Sequence, residues 1–299
     1  MRFFDMLVRL MSKGLQTMNR FGRWVTLAAI AGTGLLAAPQ QSMAERVKPY
    51  LDLALASGNA FVSVSAASGT PAVAPGSLAS IFGPNVATQT ATGTAPYPTS
   101  LGGVSLQIVD GAGNSQPAEL LYVSPTQINY FVPANTAAGN VTISLTNGTG
   151  NALSGTALVQ PVAPALFTAN GNGQGVVAAT AYRTVISTAL ATPTAVFECG
   201  TVPGSCAGVP LDLGLDAPVT VMAYATGVLG RSDDAAVTVT IGSTTIPLTS
   251  TTSLDSASSL AGINLVTFEL PLGLRGSGTV DIFLTVDGVS SNHAQIDIQ

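Results

Sequence analysis

VTISLT at residues 141–146 alternates apolar and hydroxylated side chains one for one. In an extended chain this puts Val141, Ile143 and Leu145 on one face and Thr142, Ser144 and Thr146 on the other. A strand with one buried and one wetted face belongs to an antiparallel sheet packed on a core. VSLQIV (104–109), VTVTI (237–241) and VDIFLTV (280–286) repeat the pattern, and NGTG (147–150), NGNG (170–173) and DG (287–288) separate such runs with turn residues. No amphipathic helix of useful length is read after Leu55, and strands do not alternate with helices. Doubly wound and barrel α/β folds are therefore disfavoured, and the chain is expected to be all-β.

The pattern occurs twice. APGSLASIFG (74–83) is echoed by APVTVMAYATG (217–227), QINYFVP (127–133) by GINLVTFELP (262–271), and GNVTISLTNG (139–148) by GTVDIFLTVDG (278–288). A steady displacement of about 140 residues implies two related units, each long enough for the seven short strands of an immunoglobulin-like sandwich. The expected organisation is a signal peptide at 1–44, a linker at 45–58 and two tandem immunoglobulin-like antiparallel β-sandwiches at 59–164 and 165–299. The Pro- and Gly-rich stretch from Pro161 to Gly175 reads as a stiff hinge between them.

Of 299 residues, 46% are apolar and only 8% charged. From Glu45 onward 14 acidic residues face 5 basic ones, a net charge of −9. Such a chain repels phosphate backbones, which excludes nucleic acid as a partner. The first 44 residues read as an export signal. Arg20 and Arg23 precede an apolar stretch from Trp24 to Ala38, followed by Pro39 and the small-x-small triplet Ser42, Met43, Ala44. Fifteen apolar residues rise about 22 Å as a helix, short of a ~30 Å hydrocarbon core, so cleavage between Ala44 and Glu45 is expected rather than a permanent span. Met18 offers a more ordinary start for such a signal. No Cys follows the apolar stretch to take a lipid, and no second hydrophobic tail closes the chain.

APGSLASIFG, PTSLGGVSLQI (98–108), LLYVSPTQINYFVP (120–133), APALFTANGNGQG (163–175) and VDGVSSNHAQIDI (286–298) together resemble a family of uncharacterised extracellular domains. These domains are abundant in secreted acidobacterial proteins, often at C-termini, and are similar to the IPT/TIG class of immunoglobulin-like domains. The resemblance implies a β-sandwich outside the cytoplasm; it brings no activity and no catalytic residue. No larger enzyme or propeller precedes the domains in this chain, a departure from the commoner arrangement.

In an oxidising compartment Cys199 and Cys206, within the Gly- and Pro-rich ECGTVPGSC, are expected to form a disulfide contributing about 2.5 kcal/mol for a loop of about eight residues. A redox or metal pair is the rival reading, disfavoured because the spacing is not CxxC and no His is near in sequence. His293, the single histidine, lies in an expected terminal strand, and no GxSxG follows the signal segment, so a serine hydrolase lacks its parts. A carboxylate pair for glycoside cleavage stays open, but Asp110, Asp212, Asp216 and Asp287 read as solvated turn residues. Asp233 and Asp234, after Arg231, are adjacent carboxylates that could help hold calcium, or simply a solvated turn. Asn129 and Asn264 take matching places in the two copies and are expected to bond neighbouring backbone.

After Glu45 only Lys48 is a lysine, so exposed faces are expected to be rich in hydroxyls and amides and poor in the charges that blunt strand edges. The reading is a secreted or cell-surface, non-enzymatic structural or adhesive protein, with no cofactor and with the periplasm as another location. Its expected partners are envelope polysaccharide, other surface proteins or further copies of itself, with no stable membrane span after signal removal. Carbohydrate binding is the alternative, requiring aromatics on an exposed face; Tyr97, Tyr122, Tyr130, Tyr182 and Tyr224 are the tyrosines inside the domains, and no Trp follows the signal. A glycoside hydrolase using two carboxylates is the second alternative.

Overall fold

The computed structural model of the protein describes residues 41–185, 190–215, 218–233, 236–248, 250–253 and 262–299. The apolar stretch Trp24–Ala38, Asp216 and Asp234 lie outside them. The first half runs α1 (Met43–Ala56), β1 (Val62–Ser65), β2 (Ala72–Val73), β3 (Leu78–Phe82), β4 (Ala91–Thr92), β5 (Ser100–Leu101), β6 (Val104–Val109), β7 (Ser115–Pro117), β8 (Leu120–Ser124), β9 (Gln127–Phe131), β10 (Gly139–Thr146) and β11 (Ala152–Val159). The second half runs β12 (Ala165–Leu166), β13 (Ala179–Val185), β14 (Leu190–Ala195), β15 (Phe197–Cys199), β16 (Cys206–Gly208), β17 (Val219–Thr226), β18 (Val237–Ile241), β19 (Thr244–Pro247), β20 (Ser250–Ser253), β21 (Asn264–Glu269), β22 (Gly278–Val286), β23 (Val289–Ser290) and β24 (Ala294–Ile298).

In the first half one sheet has the order β1-β3-β9-β8-β4 and a second the order β2-β11-β10-β6-β5, with β7 also on β6. Pairing is antiparallel except where β2 runs parallel to β11. The alternation of VTISLT is realised: Val141, Ile143 and Leu145 are buried while Thr142, Ser144 and Thr146 are exposed. The buried set meets Ile81, Ile128 and Tyr130 of the facing sheet in one core. In the second half the sheets are β14-β13-β17-β21-β20, with β12 on β17, and β19-β18-β22-β23, with β24 on β22. Val221, Phe268, Val239, Leu284 and Ile296 join them in a second core. The sequence echoes take equivalent places. β3 pairs with β9 as β17 pairs with β21, and β10 is central to its sheet as β22 is to its own.

The two halves are not discrete. A third apolar cluster unites Leu78, Leu121 and Phe131 of the first with Ala165, Phe167, Ala178 and Ile263 of the second. The segment that reads as a hinge is consequently buried from Val162 to Asn170. Asn292 clasps it: the Leu166 N–H donates to Oδ1 at 2.9 Å, and Nδ2 donates to the carbonyls of Leu166 at 3.1 Å and Gly173 at 2.9 Å. One side-chain amide thus serves the donor and the acceptor of a strand residue as a neighbouring strand would.

The stretch expected as a linker is helical. Ser42 caps α1 through a reciprocal box with Glu45, whose carboxylate takes the Ser42 N–H at 2.7 Å. Met43, Val47, Leu51 and Ala54 lie four, four and three residues apart, one helical face, and they pack on Val62, Val64 and Phe82. The sheet of β1, β3, β9 and β8 is therefore covered on both sides, by its own core on one and by α1 and the second half on the other. This is why β1, β3 and β8 are buried at every position and LASIF and LLYVS show no alternation.

Candidate functional site

Strands β18, β22 and β24 send one set of side chains inward: Val237, Val239 and Ile241, then Ile282, Leu284 and Val286, then Ala294, Ile296 and Ile298. Period two then forces Thr238, Thr240, Asp281, Phe283, Thr285, Gln295 and Asp297 onto the outer face. Cross-strand register aligns them. Thr240 stands opposite Phe283 on β22 and opposite Thr245 on β19, and the two threonine hydroxyls are 3.0 Å apart. Asp281 stands opposite Gln295, which places His293, just before β24, level with Phe283.

The two rings stack, with centroids 4.5 Å apart and planes inclined at 22°. His293 Nδ1 lies 3.5 Å from Asp281 Oδ2, and the side chains are 57% and 62% exposed. An exposed pair of this kind contributes little to stability, well under about 1 kcal/mol. Phe283, half-buried, points away from the core that the rest of β22 serves. The arrangement offers a stacked ring pair, an accepting carboxylate and hydroxyl and amide groups on one sheet face. That combination suits stacking and hydrogen bonding to a polar ligand. A hydrolytic His–Asp pair works from a site that excludes water, whereas this one stands on an open sheet face.

Of the acids weighed for glycoside cleavage, Asp110, Asp212 and Asp287 are engaged by other partners, and Asp216 lies outside the described residues. Asp110 is not a solvated turn residue: it is 5% exposed and accepts the backbone N–H groups of Ala112, Asn114 and Ala137 as well as Nδ2 of Asn114. The Asn114 side chain above all, then its backbone, holds the Asp110 carboxyl below the ordinary range. Its burial follows from closing the loop after β6 onto the loop before β10. Asp212 binds Arg183 at 2.8 Å, and Asp287 accepts both the N–H and the hydroxyl of Ser232 at 2.9 and 2.6 Å. Asp233 is exposed and its carbonyl accepts the Ala236 N–H, but its neighbour Asp234 lies outside the described residues. Among the described residues no group of three or more His, Cys, Asp or Glu stands together as a metal cage.

Cys199 and Cys206 are opposite each other on β15 and β16, with sulfurs 1.99 Å apart. The loop end of their hairpin is held by Asn170, whose Nδ2 donates to the Gly204 and Cys206 carbonyls at 2.9 Å each. Ala44 and Glu45 sit in the first turn of α1, and hydrogen bonds from the Ser42 backbone and hydroxyl hold the Glu45 carboxyl below its usual value. Among the described residues no helix is long and apolar enough to cross a membrane. Asn129 and Asn264 are both buried. Asn129 Oδ1 accepts from the side chains of Ser80 and Gln127, both at 2.9 Å, rather than from backbone, while Asn264 Oδ1 faces the Val228 N–H at 3.5 Å.

Of the tyrosines, Tyr97, Tyr122 and Tyr130 are buried, and Tyr182 and Tyr224 half-buried. Burial pushes the Tyr130 hydroxyl up to about 12, against a bond to Ser63 that lowers it. A search of tyrosines and tryptophans therefore passes over the ring pair on the outer sheet. Its signal in the sequence is Phe283 at an outward position between Ile282 and Leu284 in VDIFLTV.

No family model and no curated protein matches this chain, so the family resemblance of its motifs has no matching model behind it. Among solved structures the chain is similar to the Bacteroides ovatus mixed-linkage glucan utilization locus SGBP-B in complex with a mixed-linkage heptasaccharide, at 13% identity and a TM-score of 0.31 over 77% of this chain and 43% of that one. It thus spans less than half the length of that protein. It is also similar to murine CEACAM1b, at 12% identity and a TM-score of 0.19 over 77% of this chain and 95% of that one. A third likeness is to the tetra-tandem repeat in the extending region of a large adhesion protein, at 16% identity and a TM-score of 0.18 over 74% and 70% of the two chains.

Proposed function

We propose that this is an exported, non-enzymatic polysaccharide-binding protein of the cell surface, built from two immunoglobulin-like sandwiches. The observation that carries the binding role is the Phe283–His293 ring pair standing outward beside Asp281 on a sheet face otherwise dressed in threonine and amide side chains. An aromatic placed on the wet side of a sheet contributes little to the core and leaves ring surface open to a ligand.

The immunoglobulin-like part of the reading is supported by strand order. Lettering β1, β3, β6, β8, β9, β10 and β11 from A to G turns the first two sheets into A-B-E-D and C-F-G. Lettering β12, β17, β18, β20, β21, β22 and β24 does the same for the second two, with the hairpins β13–β14 and β15–β16 inserted between A and B. Export is supported by the Cys199–Cys206 bond, which persists in an oxidising compartment. The cleavage site between Ala44 and Glu45 belongs to the same proposal.

The test is retention of the full exported chain on a panel of neutral and anionic polysaccharides, with reducing-end release followed in the same samples. Retention on at least one polymer without release of sugar is expected. Absence of retention throughout, or turnover of any polymer, overturns the reading. A structural or adhesive role is the second reading, favoured by the buried junction of Leu78, Phe131 and Phe167, which suits a load-bearing tandem. Concentration-dependent association in sedimentation velocity separates it from a monomeric binder.

A further inference from the structure

We infer that the outer face of β18, β19, β22 and β24 is a binding site for neutral polysaccharide chains whose pyranose rings carry their substituents equatorially; this rests on the polysaccharide-binding reading above. Thr245, Thr240 and Phe283 form one row across β19, β18 and β22, which His293, the residue before β24, continues. With strands ~4.8 Å apart, the row is about 14 Å long, room for more than one sugar ring. Its aromatic end is a stacked pair: Phe283 and His293 lie face to face, each covering one face of the other, and the outer face of the exposed His293 ring is left to a ligand.

A flat ring surface selects a sugar by its C–H face. When all ring substituents are equatorial, the axial hydrogens of a pyranose form an apolar plane that lies on the negative face of an aromatic ring. Axial hydroxyls break that plane. Asp281, in the neighbouring row and 62% exposed, has carboxylate oxygens free of core contacts to accept from the hydroxyls at the sugar's edge. Gln295 opposite it and the Thr240–Thr245 hydroxyl pair extend the polar border on either side.

Charge excludes the other large class of envelope polymers. Strands β18, β19, β22 and β24 carry Asp281 and Asp297 and no Lys or Arg. Uronate-bearing polysaccharides would bring carboxylates against these acids, and the chain beyond Glu45 is net negative. The site is therefore selective for neutral chains by repulsion as well as by stacking.

The experiment is affinity electrophoresis of the full chain through gels holding hydroxyethylcellulose, xylan or polygalacturonate, with His293→Ala, Asp281→Asn and Phe283→Ala beside the parent. His293 and Asp281 are more than half exposed, so their variants keep the fold, checked by an unchanged thermal transition. The parent is expected to be retarded by a neutral polymer and not by polygalacturonate. Retardation should weaken at least fivefold in His293→Ala and in Asp281→Asn, and vanish in Phe283→Ala. Retention of the parent on a neutral polymer that none of the three variants disturbs overturns this site while leaving the binding function intact. Equal retention on polygalacturonate overturns the ligand class, and a parent retained on nothing overturns both the site and the function it rests on.

Discussion

The hydroxyl of Thr226 accepts the backbone N–H of Leu78 at 2.9 Å, across the junction between the two halves of the protein. The same hydroxyl donates to the Gly262 carbonyl at 2.7 Å. Thr226 and Leu78 are 1% and 0% exposed, so the Leu78 N–H cannot turn to water if the hydroxyl is lost, whereas the Gly262 carbonyl is only partly buried. Thr226→Val keeps the shape and leaves the Leu78 N–H unpaired, and is expected to cost about 1–3 kcal/mol in denaturant unfolding. Thr226→Ser should recover most of it. A valine variant as stable as the parent would show that the halves do not meet in solution as described.

Gly155 on β11 lies opposite Ile143, where a Cβ would stand 2.7 Å from Cδ2 of Phe61 and closer still to Cε2. Phe61 is fully buried and has nowhere to retreat. Gly155→Ala is expected to lower stability by about 1–3 kcal/mol through overpacking. Combining it with Phe61→Leu should cost less than the two single changes added together, a coupling read from a double-mutant cycle.

Asp110 predicts the acid limb of stability. Its carboxyl is held below the ordinary carboxylate value in the folded chain, with the Asn114 side chain the largest cause. A lowered folded value means that its stabilisation is complete above the unfolded value and is lost as pH falls through the folded one. Thermal midpoints of the parent and of Asp110→Ala should therefore differ most near neutrality and converge in strong acid. A constant gap across that range would remove the carboxylate from the explanation.

The bond between Cys199 and Cys206 closes a loop of about eight residues, which limits its worth to about 2.5 kcal/mol. Replacing both with Ser should lower stability by no more than that and leave the two large cores folded. The effect should be local, seen as faster amide exchange at Glu198 and Ala207, which pair across the hairpin. Loss of protection throughout β17 and β22 would instead make the hairpin part of the global fold.

Legibility in the sequence followed burial. Where a sheet has one wet side, as in VTISLT, VTVTI and VDIFLTV, alternation announces strand, face and core together, and the echoed segments took equivalent places. Where a sheet is covered twice, as at LASIF and LLYVS, alternation disappears and nothing local says what lies on the second side. The covering helix was itself readable, through Ser42 with Glu45 and the spacing of Met43, Val47, Leu51 and Ala54. Its short length and Pro49 obscured it. Asp110 looked like an ordinary turn acid because the residue that buries it against a second loop, Ala137, is 27 positions away.

By itself the sequence determined the mainly β character, the doubling of its own pattern and the faces of its regular strands, because these depend on side-chain periodicity along a few consecutive residues. Only the tertiary structure decided that the halves share a buried junction, that residues 43–56 form a third layer, and that Phe283, His293 and Asp281 meet on one open face. Those outcomes depend on which distant surfaces touch, and a register between strands is set by the packing of whole sheets rather than by any local run of residues.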